Sequence, residues 1–430
     1  MLNSFITWVD HDQNARNKTI QLLANYGDHD SRDELGIGAI RDSISDFLFP
    51  GTSTIQTRLR YMLVVPWIYV YLENKRFRSD RFAQKAEQIE RSLIRPLIAA
   101  ADSQGAFGRT AKDKVKRLPS SVYWNGLHVW SIRKINLSQS QYQNQIGQIY
   151  HDQSISTKRV WESARLGDSS DDQIFDKIVT WDPGLPKPPN NFPDSLENLG
   201  FELTREEAEY LQQQMSLQNH THNHHHSGNC LLGELVNKPI NLKVVMPWDL
   251  IGNSDISEFN IELLTHAKLF SNLIHGAALL YNLMVAELVE ADAIAENRVS
   301  DKRVGLAKTY RERLSIWSIA IPHQSFQKWS LEGFWEIISH PQHDMDGSTK
   351  IFVARWLDLC LKHKSDISNS VEARDLISDR ERRKRAKSRI HKLDARNRWG
   401  GESGVNQLTY RWSNVIIILK DLYRGLGYAI

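Results

Sequence analysis

Three groups of side chains have the types and spacing to do chemistry. Asp33, Glu34, Asp42 and Asp46 lie close together in the chain, and a helix would put Asp42 and Asp46 on one face at i and i+4. Carboxylates so placed can hold magnesium for phosphodiester chemistry. Helix-surface acids beside Arg41 and Arg58 more commonly form ion pairs, so no catalytic residue is assigned. His220, His222, His224, His225, His226 and Cys230 offer imidazole and thiol. A structural zinc site draws on two separated ligand pairs, and this run has no second pair. It reads as a polar loop, and no metal or cofactor is expected. His343-Asp344-Met345-Asp346-Gly347 lacks the terminal Glu of a calcium loop.

The third group is cationic. Arg109, Lys112, Lys114, Lys116 and Arg117 surround a single acid, Asp113, and lead into Tyr123, Trp124 and Trp130. From Arg374 to Arg398, eleven basic side chains face four acidic ones, a surplus of seven concentrated at Arg382, Arg383, Lys384, Arg385, Lys387, Arg389, Arg396 and Arg398. Cations neutralise phosphate and rings stack on bases, so both segments are candidate contacts for DNA or RNA. The plainer alternatives are a solvated surface, or docking of an acidic partner. Leu376, Ile377, Ala386, Ile390 and Leu393 leave one packable face, and Leu408 to Leu426 has helical period. A basic helical hairpin is therefore expected at the C-terminal end. Gly105-Ala-Phe-Gly108 spells the G-x-x-G of an RNA-clamping loop, without that module's alternating strands and helices.

Helices must position these groups. Ile37, Ile40, Ile44, Phe47 and Leu48 recur at helical spacing. Beyond Pro50-Gly51, Ser53 or Thr54 can cap a second helix running through Leu59, Met62, Leu63 and Trp67, with a kink or break at Pro66. Arg81 to Ala101 is amphipathic, Thr204-Arg-Glu-Glu207 is a capping box, and Leu263 to Leu288 is apolar almost all round, as suits a central helix. Gly276-Ala-Ala278 would let a neighbour approach closely there, and His266, His275 and Asn282 would need partners if buried. Pro183, Pro186, Pro188, Pro189 and Pro193 form the clearest boundary.

The expected fold is mainly α, with multi-helix bundles in two or three subdomains and few or no strands. The expected division is an N-terminal helical domain (1–180), a Pro-rich connector with the His-rich loop (181–260), and a helical domain ending in the basic hairpin (261–430). The length of 430 residues supplies ample core material. A net charge of +3 is too small to mark a nucleic-acid binder by itself. Two cysteines exclude a disulfide framework and suit the cytoplasm, and Met1 to Asp12 does not read as a signal peptide. The apolar run Tyr61 to Leu72 falls short of the roughly 20 residues of a membrane span, and no membrane contact is expected.

Several motifs together resemble an uncharacterised bacterial family, domain of unknown function 6361. They are Trp8-Val-Asp, Arg32-Asp-Glu-Leu-Gly-Ile-Gly with Ile40-Arg-Asp42, Phe49-Pro-Gly-Thr-Ser-Thr54 with Arg58 to Tyr61 and Pro66-Trp67, Pro119-Ser-Ser121 with Tyr123-Trp124, and Tyr410-Arg-Trp412. The resemblance implies a setting among phage-defence genes, beside helicases and phospholipase D-like nucleases, and brings no catalytic residues. Three readings follow: a non-catalytic subunit that contacts nucleic acid, an adaptor that docks a helicase or nuclease without touching DNA, and a metal-dependent nuclease.

Overall fold

A computed structural model describes residues 33–109, 114–166, 178–196, 199–218, 229–297, 300–340 and 343–428, with backbone alone for 158–166. The strand expected at Ser4 to Val9, the helix expected at Gln13 to Tyr26, Lys112 and the five histidines of the His-rich run lie outside the described residues.

In chain order the helices are α1 (Gly38–Leu48), α2 (Tyr61–Asn74), α3 (Ser79–Ser92), α4 (Ile94–Ala99), α5 (Pro119–Val129), α6 (Gln139–Leu166), α7 (Arg205–Ser216) and α8 (Leu231–Asn237). They continue with α9 (Glu258–Ala295), α10 (Leu306–Ala320), α11 (His323–Lys328), α12 (Leu331–Ile337), α13 (Gly347–His363), α14 (Val371–Arg382), α15 (Leu393–Asn397) and α16 (Trp412–Leu426). The described residues form no sheet, so the mainly α expectation holds. The chain divides into two compact units, residues 1–43 with 266–408, and residues 44–265 with 409–430. The expected division ran in sequence order; these units interleave distant segments. The proline cluster lies inside the second unit rather than at a boundary.

In the second unit α2 is the core element, with Leu63, Val65, Ile68, Tyr69 and Leu72 fully buried. The helix runs through Pro66 without a break. It also starts later than Ser53 or Thr54 would have set it. The backbone N–H groups of Thr57 and Arg58 donate to the Tyr123 hydroxyl (2.9 and 3.0 Å), and that of Leu59 donates to Asp421 (3.0 Å). Side chains far along the sequence thus satisfy this stretch in place of helical bonds. The proline segment wraps onto α2, where Trp67 Nε1 donates to the Pro186 carbonyl at 2.7 Å. The Glu73 carboxylate accepts from Trp181 Nε1 (2.6 Å), Thr180 Oγ1 (2.7 Å) and the Tyr142 hydroxyl. At the other end, Tyr423 of α16 donates to the Leu235 carbonyl of α8 at 2.6 Å. Gly425 lets α16 lie on α7, since a Cβ there would stand 2.7 Å from that of Ala208.

The expected capping box is present: Thr204 accepts from the Glu207 N–H, and Glu207 accepts from that of Thr204. A second cap is long-range. Buried Glu90 of α3 accepts from Ser120 N (2.8 Å) and Ser120 Oγ (2.7 Å) at the start of α5. Burial pushes its carboxyl up to about 7. The folded protein therefore holds this proton more tightly than the unfolded chain, whose Glu titrates near about 4.3. The resulting stabilisation is full below that lower value and is lost as pH rises through about 7. Glu90→Gln is expected to match the parent near pH 4 and to exceed it at pH 8 by on the order of 1–3 kcal/mol in urea denaturation. A variant less stable than the parent at pH 8 would contradict this.

In the first unit, residues 266–295 of α9 carry a face closed by indoles. The ring of Trp317 from α10 lies over Gly276, where a Cβ would stand 2.1 Å away, so the close approach expected at Gly276 is present. Trp317 Nε1 donates to the Asn272 carbonyl (2.8 Å) and Trp356 Nε1 from α13 to that of Leu273 (2.9 Å). The polar residues of α9 have partners. His266 Nδ1 accepts from Trp329 Nε1 at 2.8 Å. Asn282 donates to the Ser403 carbonyl (2.7 Å) and accepts from its N–H (2.8 Å). Burial, then the charge of Arg313, lowers the pKa of His275. By length and composition α9 could cross a membrane, but 83% of its most apolar window is buried within the protein, as expected of a core helix.

Candidate nucleic-acid interface

Two turns of backbone sort the cations of residues 382–398 into an inward and an outward set. Helix α14 stops at Arg382 because the fully buried Glu381 turns the chain back, accepting from Ser388 Oγ and the Arg389 N–H. Lys384 and Arg389 then reach inward to the buried carboxylate of Glu34, with Arg389 at 2.6 Å. Arg389 also meets Ser403 Oγ (2.5 Å) and the Tyr281 hydroxyl (3.4 Å). Burial opposes the charge on Arg389, but Tyr281 and Glu34 outweigh it and raise its pKa. Arg396 pairs with Asp292 at 2.7 Å and donates to the carbonyls of Arg389 (2.8 Å) and Ile390 (3.0 Å). Lys384, Arg389 and Arg396 are thus structural cations.

The outward set is Arg382, Arg383, Arg385, Lys387 and Arg398, all exposed. Lys392, one of the eleven basic side chains of the run, joins them. Arg382 has Asp379 at 3.6 Å, and Arg383 has Asp346 at 3.7 Å and bonds Ser348 Oγ. Contacts of exposed ion pairs at such distances are weak and readily exchanged. Arg380, just before this set, is buried and anchors the start of the described chain, donating to the carbonyls of Leu35 (2.7 Å) and Gly36 (3.0 Å) and to Thr349 Oγ1 (2.6 Å). Burial, then Arg383, lowers its pKa.

The first arm expected of the hairpin is not one continuous helix. Past Arg382 the chain makes turns and the short α15, and α16 belongs to the other compact unit. A neighbouring cleft of about 680 Å³ between α13 and α14 is not an anion site: Arg355, Lys362, Arg380 and Arg383 on its walls are matched by Asp358, Glu372, Asp375 and Asp379.

In the second unit Arg109, Lys114, Lys116 and Arg117 are exposed. The rings that follow are core rather than stacking surface, with Tyr123 1%, Trp124 7% and Trp130 0% exposed. Gly105 and Gly108 adopt positive φ (82° and 79°), and the Gly105 carbonyl accepts from Thr57 Oγ1 at 2.6 Å, so this G-x-x-G is a structural turn.

The four candidate carboxylates go to separate tasks. Asp33 caps α1 through the N–H groups of Ile37 (2.8 Å) and Gly38 (2.7 Å). Glu34 holds Lys384 and Arg389. Asp42 pairs with Arg41 (2.9 Å) and Asp46 with Arg411 (2.6 Å). No cluster of three metal-ligating side chains occurs among the described residues. Buried Cys230 caps α8 through the Gly233 N–H, and burial pushes its thiol up to about 12, away from the thiolate a metal would need.

This is a helical protein with a sorted basic surface on one of its units. Residues 3–424 match a family of unknown function, DUF6361, and the chain belongs to that family. No curated protein and no solved structure matches it.

Proposed function

We propose that this chain is a non-catalytic, nucleic-acid-contacting subunit of a bacterial antiphage defence complex. The observation that carries the contact is the outward set around Arg385. Six cations lie exposed within seventeen residues, two of them in loose pairs with Asp379 and Asp346, while Glu34 and Asp292 are spent on the inward set. Such a surface attracts phosphate at long range, and its affinity falls with salt. The defence setting, with helicase and phospholipase D-like nuclease partners, rests on the family resemblance.

The test is a triple reversal, Arg385→Glu with Lys392→Glu and Arg398→Glu, at positions outside the inward ion pairs. Fluorescence anisotropy with a labelled DNA duplex is expected to show at least tenfold weaker binding, with the slope of log affinity against log salt reduced by about 3. Unchanged affinity would remove this surface from consideration.

A second reading has its own observation. Ile316 and Ile319 on α10 are 68% and 76% exposed, an apolar pair that suits protein docking. Co-purification with a helicase or nuclease that is lost in Ile316→Asp, without DNA binding by the purified chain, would favour the adaptor. The nuclease reading draws no support from Asp33, Glu34, Asp42 and Asp46, each of which is engaged elsewhere.

A further inference from the structure

The outward set is preorganised. Lys384, Arg389 and Arg396 pin residues 384–396 to Glu34 and Asp292, so the exposed cations between them are carried on a fixed frame. A single strand is flexible, and proteins that hold it combine a basic groove with exposed rings on which bases stack. Those rings are missing among the described residues of this face. Among the described residues of the first unit, every Trp, Tyr and Phe is buried except Trp335, which is half-buried with Lys350 over its ring at 5.5 Å. Trp399, next to Arg398, is 1% exposed. Among the described residues, the chemistry left for recognition at this face is that of phosphate.

A duplex suits that chemistry better than a strand. It is stiff and carries about one charge per 1.7 Å of axis, so a fixed set of cations meets several phosphates without first ordering the ligand. We infer that residues 382–398 bind double-stranded nucleic acid through its backbone, indifferent to sequence, in preference to single strands. This inference rests on the nucleic-acid reading above and specifies its ligand.

The full chain is titrated by anisotropy with a labelled 20-base-pair DNA duplex, with either of its strands alone, and with a duplex of scrambled sequence. The duplex is expected to bind at least tenfold tighter than either strand, and the scrambled duplex within twofold. The salt slope is expected to be no steeper than about −5, the limit for six phosphate contacts. Equal or tighter binding of a single strand would overturn the duplex preference while leaving nucleic-acid contact in place. A scrambled duplex that binds tenfold worse would overturn the backbone-only mode. Failure of every probe to bind would instead overturn the underlying reading. Loss of binding in the triple reversal, with an unchanged melting temperature, ties the effect to this surface.

Discussion

Asp421→Ala is expected to destabilise the second unit by about 3–5 kcal/mol. Asp421 accepts from Arg58 Nε and Nη2, both at 2.9 Å, and from the Leu59 N–H at 3.0 Å, and the two side chains are 4% and 5% exposed. Removing the carboxylate strands a buried guanidinium and orphans a backbone donor at the entrance to α2. Asp102, 3.2 Å from Arg58 and 40% exposed, offers only partial replacement. Urea denaturation followed by tryptophan fluorescence reads the change as a lower midpoint. The double variant Arg58→Met with Asp421→Leu should recover much of the loss, because it leaves no unpaired charge. A loss below about 1 kcal/mol in Asp421→Ala would mean that the pair is not the clasp described.

Glu34→Ala is expected to cost a similar amount in the first unit, about 3–5 kcal/mol, since one buried carboxylate serves both Lys384 and Arg389. Their side chains are only 13% and 15% exposed, so water replaces little of what is lost. The same variant separates structure from binding. With the anchor of the frame gone, duplex affinity at a temperature where the variant is folded should fall although one negative charge is lost, whereas Glu34→Gln, which keeps an acceptor, should lose less stability and less affinity. Affinity that holds or rises would show that charge alone, not the inward frame, sets the binding.

The parts of the fold that were legible in the sequence are those set by neighbours in the chain. The apolar run ending at Leu72, the capping box at Thr204 and Glu207, and the tight approach at Gly276 each follow from local spacing or side-chain size. The late start of α2 was hidden, because its N–H groups are met by Tyr123 and Asp421, one 66 and the other 362 positions away. The candidate site shows the same limit. Charge counting found residues 382–398, yet three of the eight cations named there point inward, and only the positions of Glu34 and Asp292 decide which. Rings after Arg117 looked available for stacking until packing against α2 buried them.

The clasp between Arg58 and Asp421 also has a consequence in time. A ribosome delivers the chain from its N-terminal end, at roughly 5–20 residues per second, so Arg58 emerges long before its partner. Until α16 has been made, the guanidinium of Arg58 lacks Asp421, and the faces of α7 and α8 that it covers wait without it. The helix that completes this unit is made 363 positions after Arg58, in a unit begun near residue 44.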